Sequence, residues 1–497
     1  MHDYRVELLR QQTHGPTDVR SIADRLDSCR IRLITSERHL RLSFSLANLL
    51  SRTFADVVIE SPAANVDVPI FGKGRLVDVA GALISWNRVR RPIVGGTQVV
   101  VGVGVARPGA DLYVSNDEWT VILSENPHRV LAGNGPATVA ASSIAAAEVF
   151  RRMFPEAGGV RLGPEPFVWN LLDYRLTAAP QSAAFGAVRA TCFGAGSVGS
   201  SLLYALILGD AHGEVLFIDP DRLASRNRLR YPLWVKEGSL QKARWVEDMA
   251  AGSELTIHGH AQAASDYIRH TAAPAELAVC TVDNVAARRD VVDMLARTTL
   301  DAGVEALQFH VSRHGFGDGY ACSYCSYVDV GDVMDEVQFY VQLSGLAEAR
   351  IRELLAGSIL TSPDLARMRK LGILSEVGAE ELEGGRLHDV ARLKLYGQVP
   401  VALQGQAHAV PVSAPFVAAL AGSVLAAELQ KSCTTSTTVL DRRIDIDCSG
   451  FPTGFQSRPV ADRSGRCLCA DPFRLANYKT QWPTELRELL RPWEAIG

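Results

Sequence analysis

Gly194, Gly196 and Gly199 lie in FGAGSVG, a GxGxxG between an apolar run ending at Phe193 and a helical pattern opening at Val198, and Asp219 follows in VLFIDPD. Glycines let backbone approach a pyrophosphate closely, a helix N-terminus favours its charge, and an acid ending the next strand accepts ribose hydroxyls. Those four residues alone suit NAD as well as ATP. The next segment shifts the balance: DPDRLASRNRLRYP carries Asn227 and Arg230, and GSLQKARW carries Lys242. Seating a nicotinamide has no evident use for so many phosphate donors, whereas adenylyl transfer does. Asp283, in CTVDNVAAR, then ends another expected strand, where doubly wound folds place their ligands. A carboxylate there can hold Mg²⁺ against a triphosphate, while Arg230 and Lys242 offset the charge developing as pyrophosphate leaves. Each residue taken singly has a plain structural alternative: Asp219 a turn residue, Arg230 and Lys242 surface charges, Asp283 a helix N-cap. Their order along the chain favours an ATP-cleaving site.

The cysteines form the second constellation. Cys322 and Cys325 make a CxxC, Cys467 and Cys469 a CxC, and four thiolates can close a tetrahedral structural Zn²⁺ site that pins a distant C-terminal segment to the core. The alternative is a set of unpaired thiols. Cys433 in KSCTT and Cys448 in DIDCSG are expected to be core cysteines rather than nucleophiles. His310 and His314, in QFHVSRHGFGDG, lack a positioned partner and read as structural.

Alternating apolar runs and turn signals must position these residues. RIRLI from Arg30, ADVVIE from Ala55, QVVVGVGVA from Gln98 and TVILS from Thr120 read as strands of an α/β layer, followed by a helix over 135–154 with Pro136 in its first turn. GVGV at 102–105 alternates like a strand and lacks a third glycine, so it is no second nucleotide loop. A Pro/Ala/Ser-rich linker at 176–187 leads into strands RATCFG, VLFIDPD and ELAVCTVD with helices from Val198 and over KARWVEDMA between them, the order of a doubly wound, Rossmann-like parallel sheet. The helical, charged stretch 337–395 reads as an insertion. The halves are candidates for two divergent copies of one domain.

The 497 residues are 47% hydrophobic and carry a net charge of −4, with no basic field for a nucleic-acid backbone. A polar N-terminus without an apolar leader, and nine cysteines, an odd number, suggest a cytoplasmic chain without a disulfide framework. The apolar run from Val410 contains two prolines, two serines and a glutamate; it reads as a buried helix from about Ala414, not a membrane span.

GAGSVG, DPD followed by NRLR, the lysine of QKA, and CTVDNVAAR together resemble, over about 185–475, the adenylation domain of the ThiF-type family, which includes sulfur-carrier adenylyltransferases and ubiquitin-activating enzymes. The resemblance implies ATP-dependent, Mg²⁺-assisted activation of a C-terminal carboxylate as an acyl-adenylate. On that basis Gly194, Gly196 and Gly199 form the nucleotide loop, Asp219 binds ribose, Asn227, Arg230 and Lys242 bind phosphates, Asp283 binds Mg²⁺, and a zinc is held by two cysteine pairs, the second shortened here. Residues 1–178 resemble, through GPATVAASSIAAAEVFRRMF, the inactive partner domain of fused ubiquitin-activating enzymes, so the chain is expected to be an intramolecular pseudo-dimer, or to pair as a homodimer, with one ATP site per chain. Arg10, with Arg5 as rival, stands where the family places an arginine lent to the other half's ATP. Residues 476–497 are expected to be a tail. Members that form a thioester carry its cysteine between the first zinc pair and the helix that APFVAALAG resembles; from Ser326 to Lys431 this chain has none. The implied substrate is a small ubiquitin-like or sulfur-carrier protein, with a downstream conjugating enzyme; the alternatives are a precursor peptide of microcin-type biosynthesis, a non-catalytic nucleotide-binding scaffold, and an NAD-dependent oxidoreductase.

Overall fold

Each half of the chain sends a β-branched or apolar strand straight into a helix and builds a sheet around that strand. The computed structural model describes residues 19–483 apart from 62–63, 70, 89–91, 94, 129, 131–132, 155–161, 180–185, 237, 271–274, 306, 329–336, 338–339, 342–343, 356–357, 372–381, 386, 388–389, 391–413, 435–438, 449, 451–454 and 463. The first half runs α1 (Val19–Ser28), β1 (Arg30–Thr35), α2 (Leu40–Ser51), β2 (Asp56–Glu60), the hairpin β3 (Asn65–Val68) and β4 (Gly72–Arg75), α3 (Leu76–Asn87), β5 (Gln98–Val103), β6 (Leu112–Asn116), β7 (Thr120–Ser124), α4 (Ala137–Met153) and β8 (Phe167–Asn170). The second runs β9 (Val188–Phe193), α5 (Ser197–Leu208), β10 (Gly213–Ile218), α6 (Lys242–Ala250), β11 (Leu255–His260), α7 (Ala264–His270), β12 (Leu277–Cys280), α8 (Val285–Asp293), β13 (Thr298–Glu305) and β14 (Gln308–His314). After the inserted lobe, with α9 (Glu348–Leu355) and α10 (Ser362–Lys370), come α11 (Pro415–Ser432), β15 (Arg443–Asp447), β16 (Phe455–Ser457) and α12 (Pro472–Gln481).

The sheets show that the halves share a six-strand core order, to which the second adds β11 and β16 at its edges. The first has order β2-β1-β5-β6-β7-β8, the second β11-β10-β9-β12-β13-β14-β15-β16. In each, the opening strand lies between two parallel neighbours, Ile31 between Val57 and Val99 and Cys192 between Phe217 and Val279. A third parallel pairing follows, then two antiparallel ones, β6-β7-β8 and β13-β14-β15. A long helix precedes the second strand of each antiparallel run, α4 before β8 and α11 before β15, and the second sheet then adds β16 antiparallel to β15. The fold is therefore α/β and doubly wound, two related Rossmann-like halves, confirming what their faint sequence similarity only suggested.

Helices α2, α4, α5 and α11 close the space between the sheets. Helices α5 and α11 are buried around almost their whole circumference, which is why both are apolar on every face. Ser45 and Ser142 meet at 2.7 Å where α2 crosses α4, small side chains permitting close approach. Two charges survive inside α11. Glu428 pairs with Lys431, both fully buried; Tyr174 donates to Glu428, and Lys431 reaches the Leu171 and Leu172 carbonyls at 3.1 and 3.0 Å. No helix among the described residues is long and apolar enough to cross a membrane.

The inserted lobe is a separate compact body whose core includes Val337, Leu346, Ile351, Leu354, Leu365 and Met368. Arg350 braces it through Asp364, which also accepts from the Thr361 N–H and hydroxyl. At the C-terminus, the expected boundary at 475 falls inside α12: Tyr478 donates to the Arg297 carbonyl and Trp482 Nε1 to that of Leu295.

Candidate functional site

The second sheet reverses direction between β9 and β12, because the β9-β10-β11 units wind one way and β12-β13 the other. Such a switch opens a crevice beyond the carboxyl ends of the two strands. Gly194 leaves β9 with φ +102°, and an added Cβ would stand 2.7 Å from Thr281 Oγ1. Thr281 in turn donates its hydroxyl to the Gly194 carbonyl at 2.8 Å. Gly196 caps α5, and Gly199 packs so closely that a Cβ would lie 2.1 Å from the Gly194 oxygen. The three glycines thus turn the chain into the helix N-terminus with its N–H groups facing the crevice.

Hydrogen bonds gather the polar residues around this turn. Asp219 is almost fully buried; its carboxylate accepts the Ala195 N–H at 2.7 Å and the Asp221 N–H at 2.8 Å. Burial raises its pKa, against the pull of Lys242 and the two N–H groups. Lys242, at the first turn of α6, lies 2.7 Å from Asp221 with only 12% of its side chain exposed. Burial alone would lower its pKa, but Tyr231, Asp219 and Asp221 outweigh that and raise it, so it stays charged. Asn227 is buried and accepts the Ala224 N–H at 2.8 Å, shaping the turn that carries the half-buried Arg230. The hydroxyl of Tyr231 comes within 3.8 Å of where a Cβ on Gly196 would stand.

Asp283 occupies the other wall of the crevice, two residues beyond Thr281. The helix-cap alternative does not hold: the side chain of Asn284 caps α8, accepting the Ala287 N–H at 2.8 Å. The Asp283 carboxylate is exposed and makes no hydrogen bond or ion pair among the described residues. The chemistry of a lone exposed carboxylate suits a hard cation such as Mg²⁺. The adjoining Val282 carbonyl is held at 2.9 Å by Arg288, itself buried against Asp301.

The structure thus brings Gly194, Gly196, Gly199, Asp219, Asn227, Arg230, Lys242 and Asp283 to one crevice. Arg10 and Arg5 lie outside the described residues. Tyr231 and Thr281 were missed; the threonine directly after a buried strand end was the available signal.

In the first half the corresponding turn is filled by protein. Between β1 and α2 runs Ser36-Glu37-Arg38-His39, and the fully buried His39 lies 3.3 Å from both Ser36 Oγ and the Asn116 carbonyl. Gly104, just past β5 with φ +63°, makes room for it: a Cβ there would stand 2.2 Å from His39 Nδ1. The strand reading of 102–105 therefore holds to Val103, and Gly104 accommodates an imidazole.

The four expected cysteines meet. Cys322, Cys325, Cys467 and Cys469 place their sulfurs within 4.8 Å of one another, largely buried, and the Asp462 N–H points to Cys325 Sγ at 3.5 Å. A set of four thiols at this spacing fits a tetrahedral S₄ metal site, and the shortened CxC spans it because a 3-10 turn at Leu468–Ala470 folds the pair inward. Cys448 is buried, with its thiol pushed up to about 12 by burial. Cys433 is half-buried and raised by burial; its carbonyl packs on Gly186, just before β9, at the opposite end of that strand from the glycine loop and about 20–26 Å from it. His314 is held by Ser312 and the Ala321 carbonyl, and His310 by Asp301; burial drives both down to about 4. They are structural.

No family model matches the chain. An uncharacterized protein, y4jF of Sinorhizobium fredii, is 26% identical over 423 residues, 79% of each chain. Among solved structures, E. coli MccB is 13% identical over 57% of this chain with a TM-score of 0.34, and this chain spans 65% of it; PaaA is 14% identical over 52% of this chain and 68% of its own, with a TM-score of 0.29.

Proposed function

We propose that the second half is an ATP-dependent adenylyltransferase that activates the C-terminal carboxylate of a peptide or small protein. The observation that carries this reading is the placement of an exposed Asp283, without a partner among the described residues, opposite a glycine-lined helix N-terminus at one switch crevice. The N–H groups at the start of α5 bind phosphate oxygens, Asp219 orients the ribose, and Lys242, Arg230 and Asn227 hold the polyphosphate in line. Asp283 is the residue that would hold Mg²⁺, which when bound neutralises charge on the triphosphate. A carboxylate oxygen of the substrate attacks the α-phosphorus, forming an acyl–O–P bond as the Pα–O bond to the β-phosphate breaks. Pyrophosphate leaves with that electron pair, and no proton need move. Lys242, held charged by its neighbours, stabilises the departing anion. The four-thiol cluster would hold Zn²⁺ as a structural pin.

The thiols favour a precursor peptide whose adenylate passes to a non-thiol acceptor. All nine cysteines are described and none is exposed, and Cys433 sits at the wrong end of the sheet. The paired halves favour a second reading, a ubiquitin-like or sulfur-carrier protein as substrate with a conjugating enzyme downstream. ATP–pyrophosphate exchange tests both, using small proteins and peptides encoded beside this chain. Exchange dependent on one of them and lost in Asp283→Ala is expected. Exchange undiminished in that variant, or binding of NADH in place of ATP, defeats the proposal. A thioester sensitive to reductant would select the second reading.

A further inference from the structure

Arg52 ends α2 of the first half and is almost wholly buried, yet among the described residues it forms no ion pair with a carboxylate. Its donors go to backbone oxygens of a single loop in the other half: Nη1 to the Arg228 carbonyl, Nη2 to those of Pro232 at 3.2 Å and Trp234 at 3.0 Å, while Nε bonds Asn48 Oδ1 at 3.1 Å. Asn48 repeats the pattern, donating to the Pro232 carbonyl at 2.9 Å and to the Tyr204 hydroxyl at 3.1 Å on α5. Asn87, at the end of α3, fixes Asn48 in turn at 3.1 Å. From the opposite side Arg228 reaches back, its guanidinium 4.0 Å from the Trp86 ring and donating to the Trp86 carbonyl.

The clasped loop is the one bearing Asn227 and Arg230. Its turns are internally bonded, Arg230 and Tyr231 N–H to the Asn227 carbonyl at 3.0 and 3.1 Å and Trp234 N–H to that of Tyr231 at 2.9 Å. Displacing the three carbonyls that Arg52 gathers therefore moves Asn227, Arg230 and Tyr231 together. Tyr231 packs at a tilt against Trp245 of α6, ring centroids 5.8 Å apart, and α6 begins with Lys242. Asn48 meanwhile holds α5, whose N-terminus carries the glycine turn. A buried charge is costly where a methionine of similar length would pack as well, so its use here points to register rather than to stability alone.

We propose that Arg52 is a positioning residue for nucleotide binding, by which the first half sets the loop bearing Asn227 and Arg230 against the glycine turn of the second. This rests on the nucleotide reading of that crevice. Burial lowers its pKa to about 9, so the guanidinium remains charged at neutral pH and keeps its donors.

The test compares Arg52→Met and Arg52→Lys with Arg151→Met. Arg151 is also a buried arginine of the first half donating to carbonyls of the second, Cys448 at 2.9 Å and Gly450 at 3.2 Å, but these follow β15, three strands along the sheet from β12. Calorimetric titration with ATP and Mg²⁺ is expected to show affinity falling about 10- to 100-fold in Arg52→Met, the scale of an ångström-sized misplacement, with Arg52→Lys between it and the parent and Arg151→Met unchanged. Hydrogen exchange at the Asn227, Arg230, Tyr231 and Trp234 amides is expected to quicken about tenfold in the Arg52 variants alone. Parent-like ATP affinity in Arg52→Met, or an equal loss in Arg151→Met, overturns the inference. If the parent binds no ATP, the nucleotide reading fails and takes Arg52's nucleotide role with it, while unchanged loop exchange would independently refute the clasp. Should Arg52→Met not fold, Arg52→Lys against the parent decides by the same two measurements.

Discussion

Replacing Gly196 with alanine separates a nucleotide-binding turn from a merely tight one. Gly196 has φ −73° and ψ −156°, an extended conformation any residue adopts, and the nearest atom to an added Cβ is Tyr231 Oη at 3.8 Å, ordinary contact. The protein alone tolerates the methyl, so unfolding stability should change by no more than about 1 kcal/mol. If a polyphosphate rests on the start of α5, the methyl stands where its oxygens must come. Losing two charge-assisted N–H bonds at about 1.5–3 kcal/mol each lowers affinity for ATP by about 10²- to 10⁴-fold. The neighbouring glycines should behave oppositely. Gly199→Ala puts a methyl 2.1 Å from the Gly194 oxygen, and Gly194→Ala combines φ +102° with a contact at 2.7 Å, so each should cost at least about 1–3 kcal/mol of stability. Calorimetric titration with ATP and Mg²⁺, run beside chemical denaturation of all three variants, checks both halves. Parent-like ATP affinity in Gly196→Ala would refute the phosphate assignment. Destabilisation of Gly196→Ala equal to that of Gly199→Ala would refute the steric argument.

Cys469→Ser should lower the metal content found by elemental analysis of the purified protein, zinc on the proposed reading, and expose the α12 segment to proteolysis, since one of four clustered sulfurs is lost; full metal content in that variant would contradict the cluster assignment. Lys431→Met leaves the Glu428 carboxylate buried without its cation, and should lose about 3–5 kcal/mol in a denaturant titration, far more than exposed lysines do. Acid should destabilise the protein through His310, whose value is driven down by burial, then by Arg443 and Arg288, to about 4; its Asp301 partner is already matched by Arg288. The unfolded chain takes up this proton first, so the stability is full above pH 6.5 and lost as pH falls towards 4, about 3 kcal/mol in all. His310→Gln should flatten that part of the pH profile.

The crevice was legible because its residues sit where apolar runs stop. Phe193, Ile218 and Cys280 end buried strands, so the polar residues after them had to lie at one edge of the sheet. The four cysteines were legible because metal-binding spacing survives in sequence. Strands β6, β8 and β11 were less so: LYVSN and FVWN end in polar side chains, and LTIHGH alternates with histidines that point outward. Least visible was the brace on the loop bearing Asn227 and Arg230. Arg52 and Asn48 act on backbone oxygens 176 to 184 residues away, and a carbonyl acceptor leaves no mark on residue type. Buried arginine in an apolar helix end was the one available hint. The shared topology of the halves was hidden for a related reason, since strand order is set by pairing and several different apolar sequences satisfy it.

The contrast between the two switch points explains why a single chain needs both halves. At the second, three glycines and Thr281 keep the helix N-terminus open to the crevice; at the first, His39 takes that volume and its polar atoms meet Ser36 and Asn116 instead. The first half therefore offers no room for a phosphate at its own turn. Its corresponding helix, α2, is used at the other end, where Asn48 and Arg52 enter the second half and hold α5 and the Arg228–Trp234 carbonyls. Helix α5 turns its N-terminus to the crevice and buries nearly all the rest of its surface, so the brace on that loop comes from the other half. Division of labour between an open turn and a filled one follows from that geometry: one copy of the fold provides the crevice, and the other fixes the loop that carries Asn227 and Arg230.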